Sequence, residues 1–203
     1  LQCGRSGWAF ACLKPTKAVF RNATTVHLDD GFKFKEVTSA PMERDLPYGG
    51  ERFEISWTLF GIQNSEKLKI DVAAGDVVDP ASMASSDFFL CPIDDESFSC
   101  LVYPPEFIIA EKLETMLRFG TGNTRVKDLI DLWSFQKMNI DISVVQNAVK
   151  KCFENRDAAF SIAEVESILT DTVYGKFVSD SIARNFGHLK LPSREVIFSD
   201  LIR

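Results

Sequence analysis

Histidine is almost missing from this chain: only His27 and His188 occur, and they are far apart. There is accordingly no His-Glu-x-x-His pair and no triad grouping, which leaves zinc hydrolysis without ligands. The five cysteines (Cys3, Cys12, Cys91, Cys100 and Cys152) are odd in number, scattered, and never spaced Cys-x-x-Cys. That pattern argues against a disulfide frame and a zinc ribbon, and fits reduced thiols serving as small buried hydrophobes. Neither Gly-x-x-x-x-Gly-Lys nor Gly-x-Gly-x-x-Gly occurs, so the two common glycine-rich phosphate cradles are absent, and Gly49-Gly50 reads as a turn. No run approaches the ~20 apolar residues needed to span a bilayer. The opening Leu1 to Lys17 also lacks the basic start and apolar stretch of a secretory leader, and the expectation is a cytoplasmic protein without membrane association. Asn22-Ala23-Thr24 matches a glycosylation sequon, which carries no meaning in that compartment. A basic surplus is missing too: the net charge is -6. Sequence-independent grip on a phosphate backbone is thereby excluded, and any nucleic-acid contact must be local.

What remains is an ordinary globular composition, 203 residues of which 45% are hydrophobic, enough for one sizeable core or two small lobes. The pattern changes at Tyr103-Pro104-Pro105. Before it, Phe53, Ile55, Trp57 and Leu59 alternate with Glu54, Ser56 and Thr58, a period of two that predicts a half-buried strand. Leu68, Ile70 and Val72 alternate with Lys67, Lys69 and Asp71, predicting a second strand that buries the first set and turns the charges outward. Gly61 to Ser65 is the turn that makes the two an antiparallel hairpin. Ala18 to Arg21 and Phe32 to Val37 are weaker strand candidates. After Pro105 the period becomes helical. Glu106 to Arg118 carries the stripe Ile109, Leu113, Met116 and Leu117, with prolines before it and Gly120-Thr121-Gly122 after it. A second helix runs from Thr124 or Arg125 to Lys137, apolar nearly all round through Leu129, Ile130, Leu132, Trp133 and Phe135, and is expected to be heavily buried. Asp141 to Phe153 is a third, Ser161 and Glu164 have capping-box spacing for a fourth, and two short helices follow between Val173 and Arg203. The fold class is α+β, with a sheet-forming lobe over residues 1–104 and a helical lobe over 105–203.

Three polar groups stand out. Asp71 lies mid-strand, where Asp is disfavoured, and is either a solvent-facing residue or a functional carboxylate. Lys112, in Glu111-Lys112, is a flexible point charge suited to a phosphate, or part of a solvated helix face. Lys127, Asp128 and Asp131 share one side of an otherwise apolar helix, either complementing its dipole or facing a ligand.

Taken in order, Leu68-Lys69-Ile70-Asp71-Val72, Gly75-Asp76, Tyr103-Pro104-Pro105-Glu106-Phe107-Ile108-Ile109-Ala110-Glu111-Lys112-Leu113 and Lys127-Asp128-Leu129-Ile130-Asp131-Leu132-Trp133 resemble the later motifs of the AbiEii/AbiGii toxin family. That family falls within the polymerase-beta-like nucleotidyltransferases, and the likeness extends more loosely from about Asp29 to the C-terminal helices. The resemblance implies a mixed sheet followed by a helical bundle. It implies transfer of a nucleotidyl group from a nucleoside triphosphate, with Mg²⁺, to an acceptor that in relatives can be RNA, by the toxin of a bacterial toxin–antitoxin pair. On the matching positions, Asp71 is the third metal-site carboxylate, Lys112 approaches the triphosphate, and Lys127, Asp128 and Asp131 face the nucleotide. Asp71, Lys112, Asp128 and Asp131 are thus the expected catalytic group, and Lys112, Lys127 and Asp128 the nucleotide-binding one.

One part of the family pattern is missing. A Gly-Gly or Gly-Ser motif followed by Asp-x-Asp should supply most of the metal coordination, and no Asp-x-Asp occurs anywhere in the chain. Asp29-Asp30 and Asp94-Asp95 are adjacent, so on a strand their side chains point to opposite faces. Two hard cations about 3.5–4 Å apart need more than one carboxylate. Because the first residue is Leu rather than Met, the expectation is that this motif was removed or lies upstream, and that these residues alone transfer weakly or not at all. The alternative is a non-catalytic remnant that binds a nucleotide or a protein, and the helical half is a candidate docking module for an antitoxin.

Overall fold

The computed structural model describes residues 17–27, 29–42, 50–63, 65–73, 84–88 and 98–202. The motif residues Gly75 and Asp76, the acids Asp94 and Asp95, and Cys3, Cys12 and Cys91 lie outside them. The chain divides into two units, Leu1–Asp76 and Val77–Arg203. The α+β class expected from the two periodicities is what the chain adopts.

In the first unit a short helix α1 over residues 17–23 precedes four strands: β1 Phe32–Pro41, β2 Gly50–Leu59, β3 Ile62–Gln63 and β4 Leu68–Ala73. Ala18 to Arg21 therefore belongs to a helix and not to the strand its Val and Phe suggested, a case of context overriding a weak local preference. β2 is central, with β1 along one edge and β3 and β4 along the other. The sheet expected to be mixed is antiparallel in every pairing among the described strands. The period-two reading of β2 holds in its first half, where Phe53 and Ile55 are buried and the Phe20 ring of α1 packs on Phe53 with centroids 4.5 Å apart, but fails at its end, where Thr58 is buried and Trp57 and Leu59 are only half-buried. On β4 the alternation is present but shallower. Ile70 and Val72 are half-buried, and Leu68, expected inside, is exposed.

The tight turn after β2 is Phe60-Gly61, earlier than Gly61 to Ser65, with φ of 48° and 82°. Positive φ at both central residues is the twist-matched hairpin geometry. The Phe60 N–H donates to the Gly31 carbonyl at 2.8 Å, and the Phe60 ring lies where a Cβ on Gly31 would stand. β1 accommodates two residues, Lys35 and Glu36, opposite one of β2, a bulge between Phe34 and Val37.

The second unit holds the antiparallel pair β5 Ala84–Phe88 and β6 Phe98–Val102, then six helices: α2 Pro105–Phe119, α3 Val126–Phe135, α4 Ile142–Asn155, α5 Ile162–Thr170, α6 Thr172–Asn185 and α7 Arg194–Ile202. Their ends follow the punctuation in the sequence. Pro105 opens α2 at its first turn, where its missing N–H has no intrahelical partner to lose, and Gly120 closes it at φ 54°. Asp141, Ser161 and Asp171 cap α4, α5 and α6, each side chain accepting a backbone N–H of the first turn. Two apolar clusters hold the bundle. One joins Met116, Leu129, Ile130, Val165, Leu169, Tyr174, Val178 and Phe198, and the other joins Phe107, Ala110, Ala148, Cys152 and Phe153. Leu113 and Leu117 of α2 pack against both, so this helix is the shared wall. Cys152 is buried in the second cluster, as expected of a cysteine serving as a small hydrophobe. Among the described residues no helix is long and apolar enough to cross a membrane.

Candidate functional site

Helix α3 is apolar on Val126, Leu129, Ile130 and Leu132, all buried, which leaves Lys127, Asp128 and Asp131 little freedom of placement. Asp128 falls in the first turn, where it complements the helix dipole. Ahead of that turn the Asn123 side-chain oxygen accepts the Arg125 N–H at 2.9 Å. Helix α2 lays Lys112 against this face. The Lys112 Nζ donates to Asp128 Oδ1 at 2.6 Å and to Asp131 Oδ2 at 2.8 Å. The side chains are 16%, 19% and 32% exposed respectively, so the cluster is withdrawn from solvent yet open at one side. Burial works against the ammonium charge, but the two carboxylate hydrogen bonds outweigh it and hold the Lys112 pKa above the ordinary lysine value. Lys127 stands beside them with its side chain in solvent.

Lys112, Asp128 and Asp131 are therefore brought together, sixteen and nineteen residues apart in sequence. The solvated-face reading of Lys112 does not hold, whereas Asp128 does complement the helix dipole as its position suggested. Each carboxylate spends one oxygen on Lys112 and keeps the other. The cluster carries one positive and two negative charges.

Asp71 belongs to the first unit. The register of β4 sets it directly opposite Arg52 of β2, and the two form a bidentate pair, Nε to Oδ1 and Nη2 to Oδ2, both at 2.6 Å. The side chains are 49% and 43% exposed. The guanidinium hydrogen bonds hold the Asp71 carboxyl below the usual carboxylate range. Arg52 was not singled out from sequence. It could be found only from the strand register, which shifts by two residues between the β3 and β4 pairings of β2. Lys67 pairs with Glu54 at 3.1 Å, so this strand face is a run of ion pairs.

Two further pairings escaped the sequence reading. The Tyr103 hydroxyl donates to Glu111 Oε1 at 2.5 Å, tying the Tyr-Pro-Pro segment to α2. Glu114, one turn further along, is buried and paired with the equally buried Arg156, just past the end of α4, and with Arg118 at 3.6 Å. That pair joins α2 to the end of α4 through the core.

No three His, Cys, Asp or Glu side chains converge to hold a metal ion among the described residues. Asp128 and Asp131 already share an ammonium, and Asp71 is gripped on both oxygens by Arg52. The described donors do not by themselves fit a magnesium site, whose hard cation demands several oxygen ligands around it.

The sequence matches the family described as Nucleotidyl transferase AbiEii toxin, Type IV TA system, over residues 11–192. No curated protein matches it significantly.

Proposed function

The chain belongs to the AbiEii family of nucleotidyl transferase toxins of type IV toxin–antitoxin systems, and from that membership we propose that it acts on a nucleoside triphosphate at the Lys112–Asp128–Asp131 cluster. The reaction is transfer of a nucleotidyl group to an acceptor hydroxyl, with RNA as the acceptor class. The acceptor oxygen bonds to the α-phosphorus as the bond from that phosphorus to the bridging oxygen breaks. Pyrophosphate leaves with the electron pair, and the hydroxyl proton passes to solvent.

Support comes from the cluster's geometry. Lys112 keeps one N–H beyond those given to the two carboxylates, and with the exposed Lys127 it offers positive charge to phosphate oxygens. The free oxygens of Asp128 and Asp131 accept from ribose hydroxyls or base amino groups. Asp71, in the other unit, is an ionised carboxylate gripped on both oxygens by Arg52. Further carboxylates are needed that the described residues do not provide, so we expect weak or no transfer from this chain alone. In a bacterial cytoplasm such a toxin is held in check by a cognate antitoxin.

A second reading is favoured by the Arg52 grip on Asp71 and by the want of a three-ligand group among the described residues. It is a nucleotide- or protein-binding module of the same fold that does not catalyse.

The purified chain, incubated with each labelled nucleoside triphosphate, Mg²⁺ and total RNA, tests both. Nucleotide binding that Lys112→Met abolishes, with little or no label on RNA, is the expected outcome. Substantial transfer lost in Asp71→Ala would show full activity and remove the second reading. No binding of any triphosphate would contradict the function proposed here.

A further inference from the structure

Helix α3 begins with donors that the fold does not satisfy. Among the described residues the Lys127 N–H of its first turn has no acceptor, and no side chain caps the helix from Arg125. Asn123, two residues ahead, is 2% exposed. Its Oδ1 accepts the Arg125 N–H at 2.9 Å, and its own main-chain N–H donates to the Gly120 carbonyl at 3.1 Å. Those two bonds fix the side-chain amide at the head of the helix. The Nδ2 of that same amide is buried without an acceptor. Buried donors are almost always paired, so an acceptor brought to this point from outside gains more than it would on open surface.

The surroundings suit an anion. Arg125 and Lys127 have their side chains in solvent, and neither is engaged by a carboxylate among the described residues. A Cβ at Gly120 or Gly122 would meet nothing within 4 Å, so the turn leading into Asn123 leaves its main chain open to a ligand. The positive end of the α3 dipole adds to the two cations. Asp128, the acid of this first turn, is already held by Lys112 at 2.6 Å. Arg125 and Asp128 are three residues apart on α3, about 4.5 Å of helix rise. One triphosphate chain covers that span.

We propose that the head of α3, with Asn123, Arg125 and Lys127, is a phosphate site that takes the two terminal phosphates of the nucleoside triphosphate, while Lys112 takes the phosphate next to the nucleoside. This rests on the reading of the Lys112 cluster as nucleotide-facing. The turn holds the part that leaves as pyrophosphate, and a monophosphate is too short to reach it.

Equilibrium binding of labelled ATP, GTP, CTP and UTP, their displacement by the matching monophosphates, and binding of a short single-stranded RNA with hydroxyl ends test the site. Each is measured on the full chain, on Arg125→Gln, Asn123→Asp and Lys112→Met, alongside urea unfolding. Arg125→Gln changes an exposed side chain and should unfold as the wild type does. It should bind the preferred triphosphate about tenfold more weakly, the scale of a charge-assisted hydrogen bond, with the monophosphate unaffected. Asn123→Asp keeps the acceptor for the Arg125 N–H and replaces the stranded donor with a carboxylate oxygen, and should weaken the triphosphate at least as much. If Asn123→Asp unfolds early, Arg125→Gln alone decides. Unchanged triphosphate binding in Arg125→Gln with impaired binding in Lys112→Met overturns the phosphate site and leaves the nucleotide reading standing. An equal loss for triphosphate and monophosphate overturns it too, and a loss confined to RNA gives the site to a phosphate of the acceptor strand instead. Triphosphate binding unchanged in Lys112→Met, or none by the wild type, overturns the nucleotide reading and this inference with it.

Discussion

The two units each place carboxylates from the sequence motifs against a cation, but in different settings. Asp71 meets Arg52 on an open strand face, two planar groups in bidentate register with nearly half of each side chain in water. Asp128 and Asp131 share a single lysine between two helices, mostly out of water. Closer geometry does not make the first pair the stronger contributor. Solvent screens it, and an exposed ion pair adds little to stability however short its bonds. In the second, few waters remain to replace a lost partner, so each group depends on the others. The sheet pair can be opened at small cost, whereas the groups of the helical cluster cannot be separated without loss.

Substitutions can break or sharpen that contrast. The largest effect is expected from the most buried pair. Arg156→Ala strands Glu114 in the core, and should lower unfolding stability by about 3–5 kcal/mol in a urea titration. A loss near zero would mean that Arg118 or water replaces it and that burial is not the deciding variable. Next comes Lys112→Met, which leaves two half-buried carboxylates facing one another. About 1.5–3 kcal/mol should be lost, the scale of hydrogen bonds to charged groups. Its pH signature has a definite sign. The folded Lys112 pKa is raised, so its contribution is whole below the unfolded value of about 10.4 and disappears as pH climbs through the folded value above that. Tyr174, held to about 12, steepens the same alkaline loss. The share of Lys112 is therefore the difference between the wild-type and Lys112→Met curves, vanishing above both pKa values. Smallest of all, Asp71→Asn should leave the unfolding midpoint where it is at moderate salt. If its midpoint instead falls as far as that of Lys112→Met, the distinction between the two settings collapses.

Much of the fold was legible because it is written in short-range signals. Pro104-Pro105 and Gly120 mark both ends of α2, Ser161 and Glu164 announce α5, and the alternation at Phe53 and Ile55 sets the buried face of the first half of β2. Where the signal was short or the burial partial, the reading failed. Four residues from Ala18 cannot separate strand from helix, and the alternation at Leu68 does not say that this end of β4 remains exposed. Within the site, the spacing of Lys127, Asp128 and Asp131 put them on or beside one face of α3. That Lys112 bridges two of them depends on how α2 packs on α3, which no local pattern encodes. Arg52 was hidden in the strand register.

The central claim is that the α2–α3 cluster faces the nucleotide, and photo-affinity labelling tests it most directly. Each nucleoside triphosphate carrying an azido base is cross-linked to the intact chain, and the modified peptides are mapped by mass spectrometry. Labelling within residues 105–135, competed by unlabelled triphosphate and lost in Lys112→Met, is the outcome the account predicts. Competed labelling that spares that segment and persists in Lys112→Met would contradict it.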